Sequence, residues 1–264
     1  MPSKKIPNQH FGLERLCTQT ADRPALRTAD RIEAAPSLHG VERVSAFFRG
    51  RPYAPHRHDT YGIGITTHGV QLFEYRGATE HSLAGQVYVL HPDEMHDGRA
   101  GTEEGFAYQT LYLDPGLVHQ ALDGRALPFV ARPVRQEPDL RAAVAAFLDG
   151  IPQPIDALAG TDMVLALAHA LERISEARSR PVSVDYAALA QARELLSAKA
   201  CETVTSGDLE AATGHDRWSV ARQFRAAFGV SPHRFQILRR LDRARALIGE
   251  GASLASAALQ TGFA

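Results

Sequence analysis

The stretch Thr205–Gly229, TSGDLEAATGHDRWSVARQFRAAFG, decides the architecture of this chain of 264 residues. Ser206 to Thr213 reads as a short helix, with Thr205 placed to cap its first free amides. Gly214 supplies the left-handed residue of a tight turn. Asp216 caps the next helix, in which Val220 and Phe224, four positions apart, share the inner face. Arg217, Trp218, Ala221, Arg222 and Arg225 fall elsewhere on the same cylinder. Two short helices joined by a turn of three or four residues containing glycine make a helix-turn-helix, whose second helix fits a major groove. Gly229 closes the unit, and Ser231-Pro232 caps and starts a longer helix through Ile248.

Charge supports the same stretch without deciding it. The net charge is −1, yet Arg217 to Arg245 holds eight arginines against Asp242 alone, a local +7 that leaves −8 for the rest of the chain. From charge alone, a nucleic-acid surface and a solvated arginine-rich helix face are equally good readings. The motif is more specific. The pattern G-x-D-x-x-x-V-x-R-x-F-x-x-x-x-G-x-S-P, from Gly214 to Pro232, resembles the first half of the AraC/XylS-family DNA-binding domain. Arg239-Arg240-Leu241, Ala244 and Ala246-Leu247-Ile248 are similar to the family's connecting helix. Ser253 to Gly262-Phe263 resembles the first helix of its second helix-turn-helix, and the chain ends at Ala264 where the second recognition helix is expected. The resemblance implies that Trp218 and Arg222 face base edges while Arg217 and Arg225 sit near phosphates. In kind this agrees with what arginine does at guanine O6 and N7. The competing role for Trp218 is an interior aromatic of a small helical core.

Upstream, the period changes twice. Val44–Phe48, Tyr61–Thr67, Val70–Tyr75, Gln86–Leu90 and Phe106–Leu113 are rich in β-branched and aromatic residues. His68-Gly69, Arg76-Gly77, Ala84-Gly85 and Pro92-Asp93 separate them as turns or loops. Short strands at this spacing predict an antiparallel sandwich or barrel. Beyond Pro133 the pattern is helical: Leu140, Val144, Phe147 and Leu148 form one stripe after Pro138-Asp139, and Met163, Leu167, Ala170, Leu171 and Ile174 form another over about Asp162 to Ala177. Ser179-Arg180-Pro181 reads as an interdomain linker. The first 35 or so residues are polar and carry little pattern.

His56-Arg57-His58 precedes a strand, and Pro92-x-x-x-His96 lies in a later loop. This arrangement is similar to the cupin barrel of AraC-type regulators, which implies histidines at the barrel mouth. Residues i and i+2 of a strand project to one face, so His56 and His58 can converge. Three neutral imidazoles suit a transition metal, but the carboxylate of a metal-binding cupin is missing: Tyr61, Gly62 and Ile63 occupy that region. A ligand pocket, a divalent metal on His56, His58 and His96, and plain structural hydrogen bonding all remain open, with no metal as the preferred reading. Tyr61, Tyr75, Tyr88, Phe106, Tyr108 and Tyr112 are the aromatic candidates for the pocket wall. His39, His68, His81, His91 and His119 read as surface or turn residues.

The bulk numbers fit a cytoplasmic globular protein: 44% hydrophobic and 22% charged residues, with two cysteines, Cys17 and Cys201, that lack CxxC spacing. The N-terminus, Met1 to Phe11, lacks the apolar segment of a signal peptide, and no apolar run approaches the roughly 18 residues of a membrane span. The fold class expected is therefore α+β: an antiparallel, cupin-like β-barrel over residues 1–135, a helical dimerisation segment over 136–180, and an all-α helix-turn-helix domain over 181–264. The function expected is a non-enzymatic transcription regulator. Its partners would be double-stranded DNA, a small-molecule effector held by His56, His58, Tyr61, Tyr75, Tyr88, His96 and Tyr108, and a second copy of the chain. Arg217, Trp218, Arg222 and Arg225 would bind the DNA. The alternative is a cupin metalloenzyme or metal sensor built on the three histidines.

Overall fold

The structure is a computed structural model and describes residues 30–36, 38, 40–49, 53–176 and 183–263. Cys17, His39 and the Ser179-Arg180-Pro181 linker lie outside the described residues. Nine strands come first: β1 (Arg31–Ala34), β2 (Val41–Phe48), β3 (Tyr53–His56), β4 (Tyr61–Tyr75), β5 (Ala78–Leu83), β6 (Val87–Leu90), β7 (His96–Ala100), β8 (Phe106–Leu113) and, after a helix, β9 (Val134–Arg135). Helix α1 (Pro115–Ala121) lies between β8 and β9, and α2 (Pro138–Leu148) and α3 (Ala157–Arg173) follow. The remainder is α4 (Tyr186–Ala198), α5 (Ser206–Thr213), α6 (Arg217–Phe228), α7 (Pro232–Gly249) and α8 (Leu254–Gln260).

The expected barrel is an open antiparallel sheet. Pairing runs β1-β2-β8-β4-β6-β9, with β5 and β7 on β4 and β3 on β7, and among the described residues the path does not close on itself. The expected turn at His68-Gly69 is instead a bulge: the register against β8 shifts between Thr66 and His68, and Gly69 takes φ 67°. A glycine there lets the strand bend and continue. The first half of β4 thus pairs with β6 and β8, and the second half with β5 and β7.

Strand alternation divides the buried residues into two cores. Tyr61, Ile63, Ile65, Val87, Val89, Leu111 and Leu113 face Leu140, Val144, Phe147, Val164, Leu167 and Leu171 of α2 and α3. On the other face, Phe48, Tyr53, Phe73, Tyr75, Tyr88, Leu90, Phe106 and Tyr108 pack together inside the sheet. Helix α3 starts at Ala157, five residues before the expected Asp162, because the Asp156 side chain accepts from the amides of Leu158 and Ala159. A third core joins α4, α6 and α7 through Leu189, Leu196, Phe224, Phe228, Phe235 and Leu238. No helix among the described residues is long and apolar enough to cross a membrane.

Candidate functional site

Two sites sit on this frame. The first lies at the end of the inner core, where His56 and His96 oppose one another across β3 and β7. Their ring centres are 4.4 Å apart, and His58, just past β3, stands 4.9 Å from His96 and 6.2 Å from His56. Each ring is oriented by a backbone carbonyl two residues away: Nδ1 of His56 donates to Ala54 (3.0 Å), of His58 to Thr60 (2.8 Å) and of His96 to Glu94 (3.0 Å). A carbonyl only accepts, so Nδ1 carries the proton and Nε2 is left as an acceptor in the neutral ring. Burial, then the neighbouring His56, pushes His58 down to about 3, and His96 is held well below the usual histidine range by burial and both neighbours. Burial lowers His56 as well. The three rings are therefore neutral near pH 7.

Tyr53, His56, Gly62, Tyr88, Leu90, His96, Tyr108, Thr110 and Tyr112 line a narrow cavity of about 10 Å³ between them, room for a single water at most. His58 borders it: a Cβ on Gly62 would stand 3.2 Å from its Cε1 and Nε2, and Tyr112 lies 5.1 Å from its ring. Three expected lining residues are elsewhere. Tyr61 shares strand parity with Ile63 and Ile65, so it faces the helices and donates to the Pro128 carbonyl at 2.8 Å. Tyr75 belongs to the inner core, but its hydroxyl accepts from the His91 amide at 3.0 Å and it does not reach the cavity. Phe106 likewise packs in the inner core without lining the cavity. Two histidines expected at the surface are buried: His91 against Tyr61 and Phe129, and His119 against Tyr186. His68 and His81 are exposed, as expected.

Among the described residues, no group of three His, Cys, Asp or Glu side chains is arranged to hold an ion. The nearby carboxylates are turned to arginines: Asp59 to Arg239, Asp93 to Arg57 and Arg234, and Glu94 to Arg76.

The second site is the helix-turn-helix. Thr205 and Asp208 form a reciprocal capping box on α5, Gly214 takes φ 70° at its end, and Asp216 accepts from the amides of Trp218 and Ser219 to start α6. Val220, Phe224 and Phe228 bury the inner face of α6. Arg217, Trp218, Arg222 and Arg225 are all exposed, Trp218 at 70%. The tryptophan is therefore not the interior aromatic that was its competing role. Arg217 is held in place by Glu210 of α5 (Nε to Oε1 3.1 Å).

The basic block does not form one surface. On α7, Arg234 pairs with Asp93 at 2.6 Å, and Arg239 pairs with Asp59 at 2.7 Å and Asp242 at 3.0 Å. Arg240 donates to the carbonyls of Ala200, Glu202 and Gly262, and Arg245 pairs with Asp242 at 3.4 Å. The two pairings with Asp242 are local, three residues apart on one helix, whereas those with Asp93, Asp59 and the three carbonyls are long-range, and nothing in the local sequence announces them.

Residues 38–170 match the AraC-like ligand binding domain. That stretch is half of the chain, and the protein belongs to this family. A search of curated proteins finds no match. Among solved structures, ToxT from Vibrio cholerae is similar at 11% identity with a TM-score of 0.52, over 89% of this chain and 90% of that one. A second ToxT structure, from Vibrio cholerae O395, is similar at 10% identity with a TM-score of 0.51, over 89% and 87%. A cupin-2 domain protein from Shewanella frigidimarina aligns with 31% of this chain and 79% of that one, at 18% identity and a TM-score of 0.28. The ToxT likeness shows the fold: an antiparallel sheet followed by helices.

Proposed function

We propose that this protein is a sequence-specific, DNA-binding transcription regulator of the cytoplasm, working as a homodimer without catalysis and controlled by a small-molecule effector. The observation that carries the reading is the outer face of α6. A Trp exposed at 70% stands beside three exposed arginines on the second helix of a capped helix-turn-helix. It matches what duplex DNA requires, with guanidinium groups for guanine edges and phosphates. In this reading Trp218 and Arg222 meet bases, and Arg217 and Arg225 meet phosphates. The family match over residues 38–170 supports an effector site in the sheet, with His56, His58, Tyr88, His96 and Tyr108 around the ligand.

The test is fluorescence anisotropy of the purified chain with a labelled duplex across salt concentrations. Affinity is expected to fall steeply between low and physiological salt, with a log–log slope of about −0.9 per phosphate neutralised. A flat salt response, or no binding at low salt, overturns the assignment.

A further inference from the structure

We propose that Asp59 and Asp93 clamp the helix-turn-helix domain to the sheet through Arg239 and Arg234, so that filling the histidine pocket and releasing the clamp are one event. This rests on the reading of that pocket as the effector site.

The two aspartates are placed by the pocket itself. Asp59 directly follows His58, and Asp93 opens the loop that leads to His96. The two loops are joined, because the Asp93 amide donates to the His58 carbonyl at 2.8 Å. Asp93 is held at φ 62°, a left-handed conformation that non-glycine residues rarely adopt and that its surroundings must maintain. Each aspartate then reaches across to α7. Asp59 meets Arg239 across 180 residues of chain, with side chains 5% and 12% exposed. Asp93 meets Arg234 across 141 residues while also holding Arg57. Around them, Arg193 of α4 pairs with Asp114, the cap of α1, at 2.7 Å, and a Cβ on Gly229 would stand 3.1 Å from Pro92.

Two features make this contact a switch. A buried ion pair adds little net stability, because the attraction mainly offsets the lost hydration of both charges. When the domains part, both charges regain water, so the contact opens at small cost. The pocket is also narrow: with room for about one water, it admits nothing larger unless its wall moves. His58 stands directly behind Gly62 of that wall, so pressure on the wall displaces it, which moves Asp59 through the chain and Asp93 through the hydrogen bond. By linkage, whatever opens the clamp also favours ligand entry to the same degree.

The test uses the full chain and needs no identified ligand. Gly62→Val presses a side chain against His58 and stands in for a filled pocket, while Asp59→Asn with Asp93→Asn cuts the clamp directly. Small-angle scattering and calorimetry are expected to show a larger radius of gyration for both variants. The melting profile should separate into two transitions where the parent chain has a coupled one. The charge swap Asp59→Arg with Arg239→Asp is expected to restore the compact form, which distinguishes a cut clamp from a damaged fold. Unchanged dimensions and melting in the Asp59→Asn, Asp93→Asn chain overturn the clamp, and opening in that variant but not in Gly62→Val overturns the coupling to the pocket. Failure of the proposed function appears elsewhere, as loss of duplex binding by the parent chain.

Discussion

The guanidinium of Arg43 donates to the Phe147 carbonyl at 3.1 Å, tying strand β2 to the last turn of α2 across 104 residues. A second donor of the same group reaches the Gln153 carbonyl at 2.5 Å. Arg43 is 1% exposed, and burial pulls its pKa downward, so the site bears a charge for the sake of these carbonyls. The last carbonyls of a helix have no partner within it. Arg43→Met is expected to cost about 2–4 kcal/mol, since each buried carbonyl left unpaired costs about 1–3 kcal/mol. Urea unfolding measures this, and a loss below about 1 kcal/mol would show that water replaces the guanidinium without penalty.

Gly64 faces the inner core where no side chain fits. A Cβ there would lie 2.3 Å from the Tyr88 hydroxyl and 2.6 Å from the backbone carbonyl of Gln109. The ring can turn away, but the carbonyl belongs to β8, which pairs with β4 at this point. Gly64→Ala is expected to lose about 1–3 kcal/mol from overpacking. Gly207, in the first turn of α5, has only Thr205 Oγ1 at 3.6 Å, so Gly207→Ala is expected to gain about 0.5–1 kcal/mol from lower unfolded-chain entropy. Equal effects at the two positions in thermal melts would contradict both assignments.

Acid is expected to weaken the fold through its buried histidines. His91 is pushed down to about 4, first by burial and then by Arg76, and its Nε2 accepts the Val130 amide at 3.0 Å. An unfolded histidine titrates near 6.5. Between about 6.5 and 4 the unfolded chain therefore binds the proton and the folded chain does not. Stability is full above that window and falls as pH drops through it, by at most about 1.4 kcal/mol per pH unit for this residue. His58 and His96, also lowered, act in the same direction. His91→Gln should flatten the dependence of unfolding free energy on pH over this range. An unchanged slope would mean that His91 is protonated in the folded protein.

The exposed arginines of α6 are expected to separate into two kinds. Arg222→Ala should weaken specific binding by about 1–3 kcal/mol and relax the preference at one base pair. Arg225→Ala should weaken all duplexes about equally and lower the salt slope by about 1. Arg239→Gln, whose charge is occupied by Asp59 and Asp242, should leave that slope unchanged. Competition assays across duplex variants measure all three, and identical behaviour of the Arg222 and Arg225 variants would refute the division of roles.

The helix-turn-helix was legible because its determinants are local. Thr205 and Asp208, Asp216 with Trp218 and Ser219, and Ser231 with Arg234 each lie within three residues of their partners. Gly214 and Gly229 adopt the left-handed turns that their residue type favours. The strands of the sheet were legible where they are rich in apolar residues, as in β2, β6 and β8. Polar β5 and the short β1, β3 and β7 passed unnoticed, because their order comes from pairing with β2, β4 and β7 and not from their own composition.

The sequence by itself therefore determined the elements and ends that interactions over a few residues can specify, together with the histidine pair and the outward face of α6. Tertiary structure decided which side of the sheet each aromatic residue faces. A bulge at Thr66–His68 resets the alternation along β4, so Tyr61 lies with the helices and Tyr75 with the inner core. It also decided that Arg234 and Arg239 of α7 close on Asp93 and Asp59 while Arg222 and Arg225 of α6 stay exposed. A charge shows in the sequence, but its partner is chosen by how two domains come to rest against each other, and burial then determines whether it is spent inside the protein or left for a ligand.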